Sequence, residues 1–182
     1  MPIVSENMLI LPGWQNSGPD HWQSRWESLH GFQRVEQHDW MQPLRGDWIA
    51  RLEEVLLAQN GPSILVAHSL GCLLTAAWSA HSRNTHLVKA ALLVAPAAEI
   101  DTAESPPALW SWRPTSMQRL PFKTLLLASR NDPFGSFSSA QTLAAAWGAD
   151  LIDCGMRGHL NAESGLGDWP EGIALLQSLA NG

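Results

Sequence analysis

The sequence predicts a three-layer α/β domain in which a mostly parallel sheet is covered by helices on both faces, and three observations carry that expectation. Short apolar runs alternate with helix-length amphipathic segments from one end of the chain to the other, the pattern of a parallel sheet wound with crossover helices. Several of those runs are almost unbroken in Val, Ile, Leu and Ala, as strands buried on both faces must be. The run Ile64-Leu65-Val66-Ala67 ends in a small-x-Ser-x-Gly turn, Ala67-His68-Ser69-Leu70-Gly71, that passes directly into an amphipathic helix.

The first candidate strand is Met8 to Leu11. Ser17-Gly18-Pro19-Asp20 follows, with Ser17 as cap, Pro19 in the opening turn and Asp20 returning a hydrogen bond, the signature of a helix start. Arg34 to Gln37 alternates polar and apolar residues and reads as an edge strand. A second helix carries Ile49, Leu52, Val55 and Leu56 at helical spacing, and the strand Ser63 to Ala67 leads into a third with Leu70, Leu73, Leu74, Ala77 and Trp78 on its apolar side. Ala90 to Ala95, Thr124 to Ser129 and Asp150 to Cys154 complete the six strand candidates. The last helix opens at Asp168-Trp169-Pro170-Glu171 and runs to Asn181-Gly182. Between Pro96 and Lys123 five prolines break the rhythm; residues 97–120 are expected to form an irregular lid or pocket wall over the carboxyl edge of the sheet. With no linker and no internal repeat, residues 1–182 are expected to form one domain without a large cap.

Composition narrows the function classes. Eleven Lys and Arg against 17 Asp and Glu give a net charge of −6, which repels phosphate backbones and anionic lipid surfaces, so nucleic acid and membrane are not expected partners. No apolar run reaches the roughly 20 residues of a membrane span, and Met1 to Asn7 lacks the basic and apolar regions of a leader; the expected location is cytoplasmic. Cys72 and Cys154 form no C-x-x-C pair and are expected to be reduced thiols. Neither a metal-ligand spacing nor a phosphate-binding glycine loop occurs, so no metal and no cofactor is expected. Ten tryptophans and no tyrosine point to an indole-rich core, with Trp14, Trp40, Trp110 and Trp112 falling in loops above the strands.

In a doubly wound sheet, ligands and reactive groups gather beyond the carboxyl ends of the strands. The turn at Ser69 has the form of a nucleophile elbow, in which small residues two positions to either side relieve a strained serine. Asp132 follows the fifth candidate strand at a turn fixed by Pro133, and His159 follows the sixth in a glycine-punctuated loop. Ser69, Asp132 and His159 thus occur in the order serine, carboxylate, imidazole, each at a strand exit. A serine hydroxyl needs a base to become a nucleophile, and the imidazole needs a carboxylate to fix its tautomer. The tight turn Leu11-Pro12-Gly13-Trp14 is expected to aim the Trp14 N–H at a developing oxyanion, with the Leu70 N–H as its partner. His68 is expected to face away from the serine hydroxyl, because neighbouring residues of an extended chain point in different directions, and to be structural. His21, Trp40, Trp110 and Trp112 are the expected substrate-pocket residues.

The segments Leu11-Pro12-Gly13-Trp14, Asp20-His21-Trp22, Ala67-His68-Ser69-Leu70-Gly71-Cys72, Leu93-Val94-Ala95-Pro96, Leu120-Pro121-Phe122, Asn131-Asp132-Pro133 and Gly158-His159-Leu160-Asn161 together resemble the YdeN and retinoblastoma-binding protein nine group of small serine hydrolases, over nearly the whole chain. The resemblance implies an α/β-hydrolase fold and a triad at Ser69, Asp132 and His159, acting on small esters or amides, with aminopeptidase-like activity in some members. The expected function is hydrolysis through an acyl-enzyme on Ser69. The alternatives are acyl transfer to another nucleophile at the same site, and a non-enzymatic interaction protein that keeps the fold.

Overall fold

The structure, a computed structural model, describes residues 7–182; the sequence reading of residues 1–6 lies outside them. Six strands, β1 (Met8–Leu11), β2 (Gln33–Arg34), β3 (Ser63–His68), β4 (Val88–Val94), β5 (Lys123–Ala128) and β6 (Asp150–Asp153), form one sheet. Their order is β2-β1-β3-β4-β5-β6, and every pairing is parallel. Five helices cover it: α1 (Trp22–His30), α2 (Arg45–Leu57), α3 (Leu70–His81), α4 (Phe137–Trp147) and α5 (Pro170–Asn181).

The apolar strands are continuous in sequence because both faces are covered, and the pleat sorts their residues two ways. Leu9, Leu11, Leu65 and Ala67 face a core shared with Trp48 and Leu52 of α2, Leu74 and Trp78 of α3 and Leu143 of α4. Met8, Ile10, Ile64 and Val66 face the opposite core, shared with Trp22 and Trp26 of α1 and Leu176 and Leu179 of α5. Each face has its own indole cluster. Trp22, Trp26 and Trp169 pack together on the α1/α5 side, and Trp48 receives Trp40 and Trp112 edge-on on the other. An indole buried from water removes roughly 150–250 Å², worth about 4–6 kcal/mol of transfer free energy. These clusters are therefore main anchors of the two helical layers.

Three local expectations are corrected. The edge strand pairs only through Gln33 and Arg34; beyond one further bond from Val35 N–H to the Ile10 carbonyl (2.9 Å) the chain departs, and the Arg34 guanidinium turns to Glu27, Asn16, Ser17 and Ser24. Helix α1 starts later than the Ser17 to Asp20 signature suggests. Its cap is His21, whose Nδ1 accepts the Gln23 N–H at 3.1 Å, while Ser17 Oγ donates to Gln23 Oε1 at 2.7 Å. At α5 the capping position belongs to Trp169, which has left-handed backbone (φ 46°) ahead of Pro170, and the Asp168 carboxylate pairs instead with Arg25.

The proline-rich excursion between β4 and β5 contains a short 3-10 helix, Pro107–Trp112. It is pinned to the rest of the domain by side-chain N–H groups on backbone oxygens: Trp112 Nε1 to Pro43 (2.7 Å) and Trp147 Nε1 to Ser116 (2.8 Å). Within the excursion, the Arg113 guanidinium donates to the Ile100 and Thr102 carbonyls.

Candidate active site

Strand β3 lies between β1 and β4, so its exit sits beside the point where the strand order reverses and the β1 and β3 loops diverge. There the chain turns sharply into α3 at Ser69, with φ 54° and ψ −116°. A non-glycine residue in such a conformation costs of order 1–3 kcal/mol and persists only where its surroundings dictate it. Two close approaches do so here. A Cβ on Gly71 would lie 2.3 Å from the Leu11 carbonyl oxygen, so only glycine lets α3 start against the end of β1. A Cβ on Gly13 would lie 2.9 Å from Ser69 Cβ and 3.1 Å from the His68 carbonyl, so the β1 loop also touches the elbow directly. The turn is closed by Ser69 N–H to the Val94 carbonyl and Cys72 N–H to the Ser69 carbonyl, both 3.0 Å.

Ser69, Asp132 and His159 meet in space. Ser69 Oγ lies 2.9 Å from His159 Nε2. His159 Nδ1 lies 2.9 Å from each oxygen of Asp132. This network assigns the tautomer: Nδ1–H donates to the carboxylate and Nε2 accepts the serine hydroxyl. The Asp132 side chain is only 4% exposed and that of His159 9%; the carboxylate is aimed by accepting the Phe134 N–H at 2.8 Å. The loop that carries His159 is tied to the exit of β5, with Arg157 N–H on Ser129 Oγ and Gly158 N–H on Asn131 Oδ1, both 2.8 Å.

Around these groups the remaining candidates separate. The N–H groups of Trp14 and Leu70 donate to no acceptor among the described residues, and Gly13, next to Trp14, packs against the Leu70 nitrogen. His68 makes no hydrogen bond to the serine hydroxyl; its Nε2–H donates to the His159 carbonyl at 2.9 Å, and its ring centroid lies 4.8 Å from that of the His159 ring. Its ring is edge-on to His21, with centroids 4.7 Å apart. Burial, with neighbouring imidazoles adding to it, holds His68 well below the ordinary histidine range. Burial first, then the Arg34 charge and His159, lowers His21 to about 3. Both are neutral at physiological pH.

A cleft of about 660 Å³ adjoins His159, lined among others by Phe134, Met156, Arg157, Asn161, Leu166 and Trp169. The expected pocket residues are not part of that lining. Trp112 is 1% exposed and sealed against Trp48; Trp40 also packs on Trp48. Trp110 is exposed on the excursion with Arg113 over its ring, and His21 is buried beneath His68. Sequence reasoning missed Phe134, whose ring stands edge-on to His159 at 4.7 Å, and Met156, although both follow β5 and β6 in the loops that carry Asp132 and His159. Among the described residues no group of three or more His, Cys, Asp or Glu is arranged to hold a metal ion.

The chain matches the serine hydrolase family model over residues 8–178. Comparison with curated proteins gives no match. Among solved structures, a YdeN-like hydrolase from Pectobacterium atrosepticum is 33% identical, with 96% of this chain and 90% of that chain covered and a TM-score of 0.84. The ydeN gene product of Bacillus subtilis is 22% identical, with 97% and 100% covered and a TM-score of 0.73. Est1E of Butyrivibrio proteoclasticus, solved with bound ferulic acid, shares the fold at 12% identity, with 100% and 94% covered and a TM-score of 0.73. An all-parallel six-stranded sheet with helices on both faces, an elbow serine and these relatives converge on one conclusion: the chain belongs to the serine hydrolase family, as a YdeN-like enzyme with a small α/β-hydrolase fold.

Proposed function

We propose that the enzyme cleaves a small ester or amide through an acyl-enzyme on Ser69, with Asp132 and His159 completing the triad. The observation that carries this reading is the unbroken line of contacts from Ser69 Oγ through both ring nitrogens of His159 to the Asp132 carboxylate, each at 2.9 Å. His159 Nε2 takes the hydroxyl proton as Oγ attacks the carbonyl carbon, and the Asp132 carboxylate, accepting Nδ1–H, stabilises the imidazolium that forms. The carbonyl oxygen becomes an oxyanion between the N–H groups of Trp14 and Leu70, which have no protein acceptor to give up among the described residues. His159 then passes the proton to the departing alkoxide or amine, the C–O or C–N bond breaks, and an acyl ester remains on Ser69. Water, deprotonated by the same nitrogen, attacks that ester and releases the acid.

The exposed Phe134 ring and Met156 chain beside His159 favour a substrate with an apolar or aromatic part. No helix among the described residues is long and apolar enough to cross a membrane, and both cysteines are free, which fits a cytoplasmic small-molecule hydrolase. A fluorophosphonate probe is expected to label Ser69, located by peptide mapping, and to leave Ser69→Ala unlabelled. Turnover of p-nitrophenyl acetate should fall by roughly 10⁴–10⁶-fold in Ser69→Ala and His159→Gln. A folded parent protein that neither labels nor turns over the ester would overturn the reading.

A further inference from the structure

The loop that carries His159 has an unusual backbone. Gly158 has φ 61° and Leu160 φ 48°, so His159 sits between two residues in the left-handed region, one of them a leucine for which that region is strained. Such a loop holds one geometry only if its polar groups are fixed from outside. On the side of Asn131 and Ser129, its N–H groups are fixed by side-chain acceptors. On the opposite side, two consecutive carbonyls are taken by two ring N–H groups, one from the end of β3 and one from α1. His68 Nε2–H donates to the His159 carbonyl at 2.9 Å, and Trp22 Nε1–H donates to the Leu160 carbonyl at 2.8 Å. Both donors are buried, at 5% and 1% exposure, and the rings lie edge-on to one another, 6.2 Å between centroids.

We propose that His68 and Trp22 are positioning residues, a main-chain clamp that aims the His159 ring at Ser69. The serine and the clamp donor are adjacent in sequence. Ser69 meets His159 at ring Nε2, while His68 holds its backbone carbonyl and also packs its ring against the His159 ring, centroids 4.8 Å apart. The elbow therefore sets both ends of the same residue, and the Oγ to Nε2 distance follows from local geometry rather than from the long path through β4, β5 and β6. A buried neutral imidazole with one proton suits this role, because a carbonyl acceptor requires that proton on Nε2 and burial keeps a second one off. His21 supports the arrangement from below. Its Nδ1 is committed to the Gln23 N–H, and its uncharged ring against His68 adds no positive charge beside His159 when that residue becomes cationic in the reaction.

The inference rests on the hydrolase reading of the site, so its test carries one readout that needs turnover and one that does not. His68→Gln places an amide N–H near the position of Nε2; His68→Met has almost the same size and no donor. With p-nitrophenyl acetate, the Met variant should lose kcat on the order of 10²-fold with KM changed by no more than about threefold, and the Gln variant should recover most of that loss. Trp22→Phe, which keeps an aromatic ring without the N–H, should lose less. In parallel, the low-field proton NMR signal of His159 Nδ1–H bound to Asp132, assigned by its absence in His159→Gln, should persist in His68→Gln and vanish or broaden in His68→Met. Unfolding temperatures identify any variant whose loss is one of folding. Equal kcat in the Gln and Met variants, or an unchanged Nδ1–H signal in His68→Met, would overturn the clamp. If the parent turned over no ester while the signal still followed the donor, the clamp would stand and the hydrolase reading would fall.

Discussion

Two stretches of chain border the strand-exit edge of the sheet, and they are fitted to it in opposite ways. The β1 loop, Pro12 to Asn16, approaches the elbow through backbone: Gly13 leaves no room for a methyl group against Ser69 and His68, and Gln15 and Asn16 both have positive φ, 67° and 65°. The β4–β5 excursion is much longer and is held by long side chains, the indole N–H groups of Trp112 and Trp147 and the Arg113 guanidinium, each on a main-chain oxygen. In the first, position is set to a fraction of an ångström by contact between main chains. In the second, it is set by side chains that reach main-chain oxygens away from the triad. One edge thus combines a segment placed by main-chain contact with a segment placed by long side chains.

The comparison is broken most sharply at Gly13. Gly13→Ala puts a Cβ 2.9 Å from Ser69 Cβ, closer than real contacts allow, so the β1 loop or the elbow must shift. With the folded fraction set by unfolding temperature, kcat/KM per folded molecule should fall roughly 10²–10³-fold as the Trp14 N–H is displaced; near-normal turnover with p-nitrophenyl acetate would show the loop to be a passive turn. In the excursion, Trp112→Phe removes the N–H on the Pro43 carbonyl and should cost about 1–3 kcal/mol in denaturant unfolding, with kcat per folded molecule unchanged.

An effect graded by pH belongs to the His21 cap of α1, just beyond the β1 loop. Folded His21 takes up its proton only near pH 3, and the unfolded imidazole near 6.5. As pH falls below 6.5 the unfolded state binds a proton that the folded state refuses, so stability should drop by about 1.4 kcal/mol per pH unit from this residue until pH approaches its folded value. His21→Asn keeps an acceptor for the Gln23 N–H and should flatten the slope of unfolding free energy between pH 6 and 4. An unchanged slope would assign the acid sensitivity elsewhere. The smallest effect is expected at Trp110, half-exposed on the excursion. Trp110→Ala should stay within about 0.5 kcal/mol of the parent in stability, and a large change in KM would make that indole part of the substrate site after all.

How far the sequence reveals these features depends on the range of the interaction that decides each one. Strand exits are readable because apolar runs end where the sheet ends, so chain order alone points to Ser69, Asp132 and His159, and the structure brings their side chains together. The His21 cap is hidden because Ser17 and Asp20 are stronger local cap formers, and only the burial of the imidazole under His68 decides against them. Trp40 and Trp112 mislead as pocket candidates for a related reason. A tryptophan in a loop can turn outward or inward, and here Trp48 draws both into the α2 layer, a contact that no local pattern announces. Phe134 and Met156 carry no signal beyond their position after a strand.

The two thiols differ in a way that has a practical consequence. Cys72, one turn beyond the elbow, is fully buried with its Sγ–H on the Val94 carbonyl at 3.4 Å, and burial pushes its ionisation far up, so it offers no thiolate to soft alkylating reagents. Cys154 is partly open to solvent at the end of β6, although burial raises its ionisation as well, and Gly155, next in the chain, accepts the Arg130 N–H through its carbonyl at 2.7 Å. A maleimide dye added to the unaltered chain should therefore attach at Cys154 in preference to Cys72, placing a fluorescent reporter at the root of the loop that carries His159 without any mutation.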